Sequence, residues 1–272
     1  MHEIDDKQRI LLADIKNVGE FLGLAILLVG AGARIFVFDR EYNVEGRATK
    51  DLDFAVQVND WSDFQSLTTQ MTQGNNASFK KTRVEHKFVH LSTGIEIDIV
   101  PFGLIAQPNQ TLEWTDGSQM SLVGLNEAFS TAKILNIGGI EVKVVNPYAL
   151  LVLKLIAWND RQERKDLEDI DFILRNYRDD DRIFVELLNE ISQAIVEYED
   201  SAIFLLGQDI RKNFREDTIQ ELQKILAKIQ QNQDRLFSRL IPRMIDDDEW
   251  DAQFDATVHR FRVFQKAVEY NL

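Results

Sequence analysis

Apolar side chains recur at helical spacing from about Lys7 to Leu22, through Ile10, Leu11, Ile15, Val18, Phe21 and Leu22. That spacing predicts an amphipathic helix packed on a core. Ala25 to Val29 is short and continuously apolar, as expected of a strand buried on both faces. Gly30-Ala31-Gly32 ends it, and a helix is expected to start within Ala33 to Phe38. After a polar stretch from Asp39 to Lys50, Asp51-Leu52-Asp53-Phe54-Ala55-Val56 alternates like a half-buried strand. Trp61 to Met71 reads as a helix. Lys87 to Leu91 and Ile95 to Val100 read as strands around Ser92-Thr93-Gly94, and Asn136 to Val145 as a hairpin around Gly138-Gly139. From Pro147, well suited to a first helical turn, helical spacing marks segments near 148–158, 163–177, 182–198, 217–237 and 250–270.

The helix breakers sharpen this division. Twelve of the 13 glycines precede Pro147 and only Gly207 follows it, while residues 148–241 contain no proline. The fold class expected is α/β (α+β): a mixed sheet with flanking helices over residues 1–146, then an all-helical domain over 147–272. No cysteine is present, which removes disulfides, a thiol nucleophile and a thiolate zinc site, and favours a reducing cytoplasm. The charge, 31 − 45 = −14, argues against a general binder of phosphate backbones, though not against a local basic groove. The N-terminus MHEIDDKQ is acidic where a signal peptide is basic. The apolar stretch from Phe21 to Ala33 is shorter than the ~20 residues that span a bilayer. A soluble, cytoplasmic protein with no membrane partner is expected.

The candidate chemistry lies in the acids. Asp51 and Asp53 share one face of their strand while Leu52, Phe54 and Val56 take the other. Side-by-side carboxylates repel unless a positive charge stands between them. An all-oxygen set favours Mg²⁺ or Mn²⁺. Glu96-Ile97-Asp98 repeats the pattern, so pairing of the two strands would bring three or four acids together. Gly30-Ala31-Gly32, between a buried strand and a helix, exposes backbone N–H groups of the kind that hold phosphate. The acids also read as solvent-facing residues of an edge strand, and the glycines as a tight turn. His86 and His90 lack a third ligand candidate, and Asp246 to Glu249 read as a solvated loop or helix start.

The runs Val29-Gly30-Ala31-Gly32-Ala33-Arg34, Arg47-Ala48-Thr49-Lys50-Asp51-Leu52-Asp53-Phe54 and Ile97-Asp98-Ile99-Val100-Pro101-Phe102-Gly103 resemble the nucleotidyltransferase superfamily. More narrowly, they resemble its AbiEii/AbiGii-type toxin-like branch, as do Lys154-Leu155-Ile156-Ala157-Trp158 and Arg161, Lys165, Asp166 and Asp169 further on. The resemblance implies a mixed sheet in which Asp51 and Asp53 hold two Mg²⁺ ions (or Mn²⁺). Asp98 would complete the metal site and assist deprotonation of the acceptor. Gly30, Ala31 and Gly32 would cradle the triphosphate, with Arg34, Arg47 and Lys50 as further phosphate contacts. This chain departs from the family turn, which is usually Gly-Ser or Gly-Gly, because Ala31 supplies no hydroxyl. Asp39 to Arg47 resembles an insertion.

Lys154 interrupts a run otherwise free of charge, from Ala149 to Ala157, so its head is expected to meet a carboxylate or a phosphate. In an uninterrupted helix Lys154, Trp158, Arg161, Lys165 and Asp169 would share a face suited to an anionic substrate, or form an ordinary solvated charged face. The expected function is Mg²⁺-dependent transfer of an NMP from an NTP, such as ATP, to a hydroxyl of RNA, protein or a small molecule, with pyrophosphate release. The branch implies the toxin of a toxin–antitoxin pair with an antitoxin partner. A catalytically silent nucleotide- or partner-binding protein and an antibiotic adenylyltransferase are the alternatives.

Overall fold

The computed structural model describes residues 5–39, 41–44, 46, 49, 51–242 and 244–270. It divides into two compact units, Met1–Asn146 and Pro147–Leu272. The first opens with α1 (Asp6–Leu22), capped by the Asp5 carboxylate, which accepts from the Lys7 N–H, and ended by Gly23 at φ 68°. Its apolar stripe buries Leu11, Leu12 and Ile15. Then follow β1 (Ile26–Val29), α2 (Gly30–Arg34) running into a π-helical turn (Ile35–Asp39), β2 (Asp51–Val58) and α3 (Trp61–Thr72). The helix after the glycine turn thus begins at Gly30, three residues before the expected window. The unit continues with β3 (Phe79–Lys81), β4 (Lys87–His90), β5 (Glu96–Gly103), β6 (Thr111–Glu113), β7 (Gln119–Ser121), α4 (Leu125–Thr131), β8 (Lys133–Ile137) and β9 (Ile140–Val144).

Seven strands form one mixed sheet in the order β3-β4-β5-β2-β1-β9-β8. The centre is β2, antiparallel to β1 and parallel to β5 over eight residue pairs from Asp51↔Glu96 to Val58↔Gly103. Leu52, Phe54 and Val56 of β2 and Ile97 and Ile99 of β5 are fully buried, so a one-residue slip would carry this apolar set to the wrong face. A cavity of about 250 Å³ lies against Leu12, Ile15, Leu28 and Phe54, behind the sheet face that carries Asp51 and Asp53.

The second unit contains only helices among the described residues: α5 (Pro147–Arg161), α6 (Arg164–Asn176), α7 (Asp180–Glu186), α8 (Leu188–Ser192), α9 (Ser201–Asn213), α10 (Glu216–Gln231), α11 (Gln233–Phe237) and α12 (Asp247–Glu269). Three points concern the expected helices. The segments expected near 148–158 and 163–177 are the separate helices α5 and α6, so the face that an uninterrupted helix would have given Lys154 through Asp169 does not form. The first, α5, stops at Arg161 because Gln162 adopts φ 55°, and the Gln162 side chain donates to the carbonyls of Trp158 and Asn159. The expected 182–198 helix is broken at Leu187 and again at Ala194, which has φ 53°. Only Ile183, Leu187 and Val196 find burial in that segment while Phe184, Val185 and Leu188 stay exposed, so no continuous stripe holds one helix together. Finally, α9 was not anticipated. Ten consecutive residues from Ser201 to Ile210 are buried, and a helix covered all round shows no amphipathic period.

Gly207 explains its own presence in a glycine-poor unit. A Cβ there would stand 2.4 Å from Ala267 Cβ and 3.1 Å from the Val268 nitrogen, so the missing side chain lets α9 and α12 cross closely. Gly207→Val is expected to destabilise the protein by about 3 kcal/mol, because the obstructing atoms include backbone. Urea denaturation measures this, and an unchanged midpoint would count against the close crossing.

Candidate active site

The register of the sheet assembles the acids. In β2, Asp53 pairs with Val29 of β1 on one side and with Asp98 of β5 on the other. Asp98 in turn faces Lys87 of β4. A single row across four strands therefore runs from the start of the glycine turn through Asp53 and Asp98 to Lys87, with neighbours about 4.8 Å apart along it. Asp51 and Glu96 pair two residues up. Asp51, Asp53 and Asp98 are half-buried, while the Glu96 side chain is 55% exposed.

Each carboxylate is held differently. Asp51 Oδ1 accepts from the Thr49 hydroxyl at 2.5 Å. Asp53 lies against the bare Cα of Gly30, where a Cβ would come within 2.0 Å of its Oδ2. Gly30 also has φ 66°, so this glycine serves both the turn and the seat of Asp53. Asp98 Oδ1 is buried and has no hydrogen-bond partner among the described residues. Its near neighbour is the Lys87 ammonium, at 3.4 Å. Partial burial disfavours the charged lysine, but attraction to Asp98, Glu96 and Asp51 outweighs it and raises the Lys87 pKa above its ordinary value. Lys87 is the functional candidate that the sequence did not reveal, because its place depends on the turn that sets the β4–β5 register. Thr49 was visible only as part of a motif.

The other predicted residues take varied places. Ala31 and Gly32 are buried, and a Cβ on Gly32 would meet Leu52 Cδ2 at 2.5 Å, which gives this glycine a packing role. Arg34 is 1% exposed and its guanidinium packs on Gly46, where a Cβ would lie 1.3 Å from Nη1. Arg47 and Lys50 lie outside the described residues. His90 is fully buried between Asp14 and Thr93, at 2.9 and 2.8 Å, and His86 packs on Trp114.

In the helical unit, Lys154 is buried with its ammonium 2.6 Å from Asp169 Oδ2 and 3.6 Å from Asp166 Oδ1. Arg161 clasps the buried Asp166 with two bonds of 2.7 and 2.6 Å. Four of the motif residues thus form one ion cluster joining α5 to α6. Lys165 turns away to Glu163 at 2.7 Å, on the surface.

No three His, Asp or Glu side chains among the described residues stand as a closed ligand set. The fit to a divalent cation rests instead on donor chemistry. Asp51, Asp53 and Asp98 share one face with Glu96 at its rim, and the buried Asp98 Oδ1 has only the Lys87 ammonium at 3.4 Å. An all-oxygen set of this kind suits Mg²⁺ or Mn²⁺.

A family model described as "Nucleotidyl transferase AbiEii toxin, Type IV TA system" matches residues 36–260. No curated protein matches the chain. Among solved structures, the chain is similar to an antigenic nucleotidyltransferase-like protein from Paracoccidioides brasiliensis, at 18% identity and TM-score 0.43, covering 70% of this chain and 89% of that one. It is also similar to the Thermotoga maritima CCA-adding enzyme complexed with tRNA, at 14% identity and TM-score 0.27, covering 97% and 83% of the two chains. No helix among the described residues is long and apolar enough to cross a membrane.

Two stability measurements check these assignments. Gly30→Ala is expected to cost about 1–3 kcal/mol, and adding Asp53→Ala should recover part of that loss because the colliding carboxylate is gone. Strict additivity of the two would separate Gly30 from Asp53. Lys154→Met leaves Asp169 buried without its ammonium and should cost about 3–5 kcal/mol, whereas Lys165→Met should stay within about 0.5 kcal/mol. Equal effects of the two lysine changes would contradict the buried cluster.

Proposed function

Since the chain belongs to the AbiEii nucleotidyl transferase toxin family, we propose that its sheet carries out Mg²⁺-dependent transfer of an NMP from an NTP to an acceptor hydroxyl, with pyrophosphate release. The observation that carries this reading is the strand register that puts Asp53 between the glycine turn and Asp98, with Asp51 beside them. Nucleotidyl transfer needs a phosphate site next to an oxygen-rich cation site, and a turn at Gly30 beside Asp53 and Asp98 would meet that need.

Each residue has a definite task under this reading. Gly30 presents the turn to the triphosphate and leaves room for the Asp53 carboxylate. Thr49 fixes one oxygen of Asp51 by its hydroxyl and so limits the carboxylate's rotation. Asp51 and Asp53 would hold the divalent cations, and Asp98, whose Oδ1 has the Lys87 ammonium at 3.4 Å, would complete the set and help take the proton of the acceptor hydroxyl. When bound, the cations acidify the attacking hydroxyl and stabilise the leaving pyrophosphate. Ala31 adds no hydroxyl, so the turn holds phosphate through its backbone alone. The family supports a toxin role, with an antitoxin as partner and a nucleotide as substrate.

The test is pyrophosphate release from each NTP in Mg²⁺, with RNA, protein and small-molecule acceptors offered in turn. Asp51→Asn/Asp53→Asn should lower turnover about a hundredfold or more, since both cation-holding charges are lost. Full activity in that variant would remove the row from the reaction. Nucleotide binding without turnover on any acceptor would leave a silent nucleotide-binding domain instead.

A further inference from the structure

Lys87 begins β4 and reaches two carboxylates of β5 at once. Its ammonium lies 3.4 Å from Asp98 Oδ1 and 3.5 Å from Glu96 Oε2. The two partners differ. Asp98 is 23% exposed and sits in the row with Asp53, whereas Glu96 is 55% exposed at the rim. Lys87 is opposite Asp98 in the strand register, so its ammonium eases the repulsion between Asp98 and Glu96 from within the sheet. A lysine suits such a place better than an arginine, because its point charge sits on a flexible stem and makes no rigid two-bond clasp.

We propose that Lys87 is the internal counter-cation of the acid row: it holds Asp98 while no metal is bound, and yields Asp98 Oδ1 to an incoming divalent cation while remaining on Glu96. Lys87 is thus a positioning residue, and Glu96 is its second anchor outside the ligand set. The inference deepens the metal-site reading above and rests on it. It assigns opposite effects on metal affinity to two neighbouring side chains, which a merely structural cross-strand ion pair would not produce.

Calorimetric titration of the full chain with Mn²⁺, alongside melting of the metal-free protein, tests it. Removing a positive charge a few ångströms from the cation site should make Lys87→Met bind Mn²⁺ about tenfold more tightly. The same variant should melt at a lower temperature without metal and regain that loss when Mn²⁺ is added. Glu96→Gln, which strands Lys87 on Asp98, should weaken binding several-fold, and Lys87→Arg should show no gain in affinity. Unchanged or weaker Mn²⁺ binding by Lys87→Met, where wild-type binding is abolished by Asp51→Asn/Asp53→Asn, overturns the role of Lys87 alone. Absence of any Asp51- and Asp53-dependent binding, in both the wild type and Lys87→Met, overturns the metal-site reading and this inference together.

Discussion

Like charges brought into register are the constraint on which the sheet unit depends. Parallel pairing of β2 with β5 buries Leu52, Phe54, Ile97 and Ile99 on one face. Because side chains alternate, the same pairing unavoidably places Asp51, Asp53, Glu96 and Asp98 together on the other. Hydrophobic burial therefore fixes the position of a repulsive cluster, and the neighbouring strands can be understood as answers to it. On one flank Gly30 removes a side chain so that Asp53 can settle against backbone. On the other, β4 brings Lys87 opposite Asp98. The apolar side of the sheet supplies the stability, and the acid side stores the electrostatic asymmetry that a cation would relieve.

The helical unit solves a related problem differently. Asp166 and Asp169 are more deeply buried than any acid of the sheet, and both have cations within the same unit. Arg161 meets Asp166 with the paired geometry of a guanidinium on a carboxylate, and Lys154 closes on Asp169. These charges are satisfied without any ligand. Asp98 differs in distance, since its ammonium partner stands at 3.4 Å where that of Asp169 stands at 2.6 Å. A carboxylate locked in a two-bond clasp is built for rigidity.

The acid face was legible in the sequence because a period of two needs only a few residues to show itself, as Asp51-Leu52-Asp53-Phe54 and Glu96-Ile97-Asp98 do. The helix of α1 was legible for the same local reason. What escaped is whatever depends on two segments meeting. Lys87 looks like any strand-edge lysine until the turn at Ser92-Thr93-Gly94 sets it opposite Asp98. The packing of the Arg34 guanidinium on Gly46, twelve residues further along, likewise joins two segments that the sequence does not show meeting. The division between α5 and α6 was legible, whereas the φ 55° of Gln162 that makes it was not, because glutamine carries no general preference for that conformation. Burial on all sides likewise erased the period by which α9 might have been recognised.

Three of the glycines share one physical meaning across both units, while others, such as Gly23 and Gly94, serve only a left-handed turn. Gly30, Gly32 and Gly207 each stand where a Cβ would strike a neighbour, and the neighbour decides the consequence. At Gly207 it is the backbone of α12, so the missing side chain serves helix packing. At Gly32 it is the tip of Leu52, so it serves the seating of α2 on the sheet. At Gly30 it is a carboxylate, and a residue that serves only the shape of a turn would not need to bring backbone within contact of a charge. The close approach makes the glycine turn and Asp53 one structural unit, since neither a side chain at position 30 nor a displaced carboxylate is compatible with the other. Phosphate held by that turn would then lie beside the acids by construction, with no further element needed to align the two.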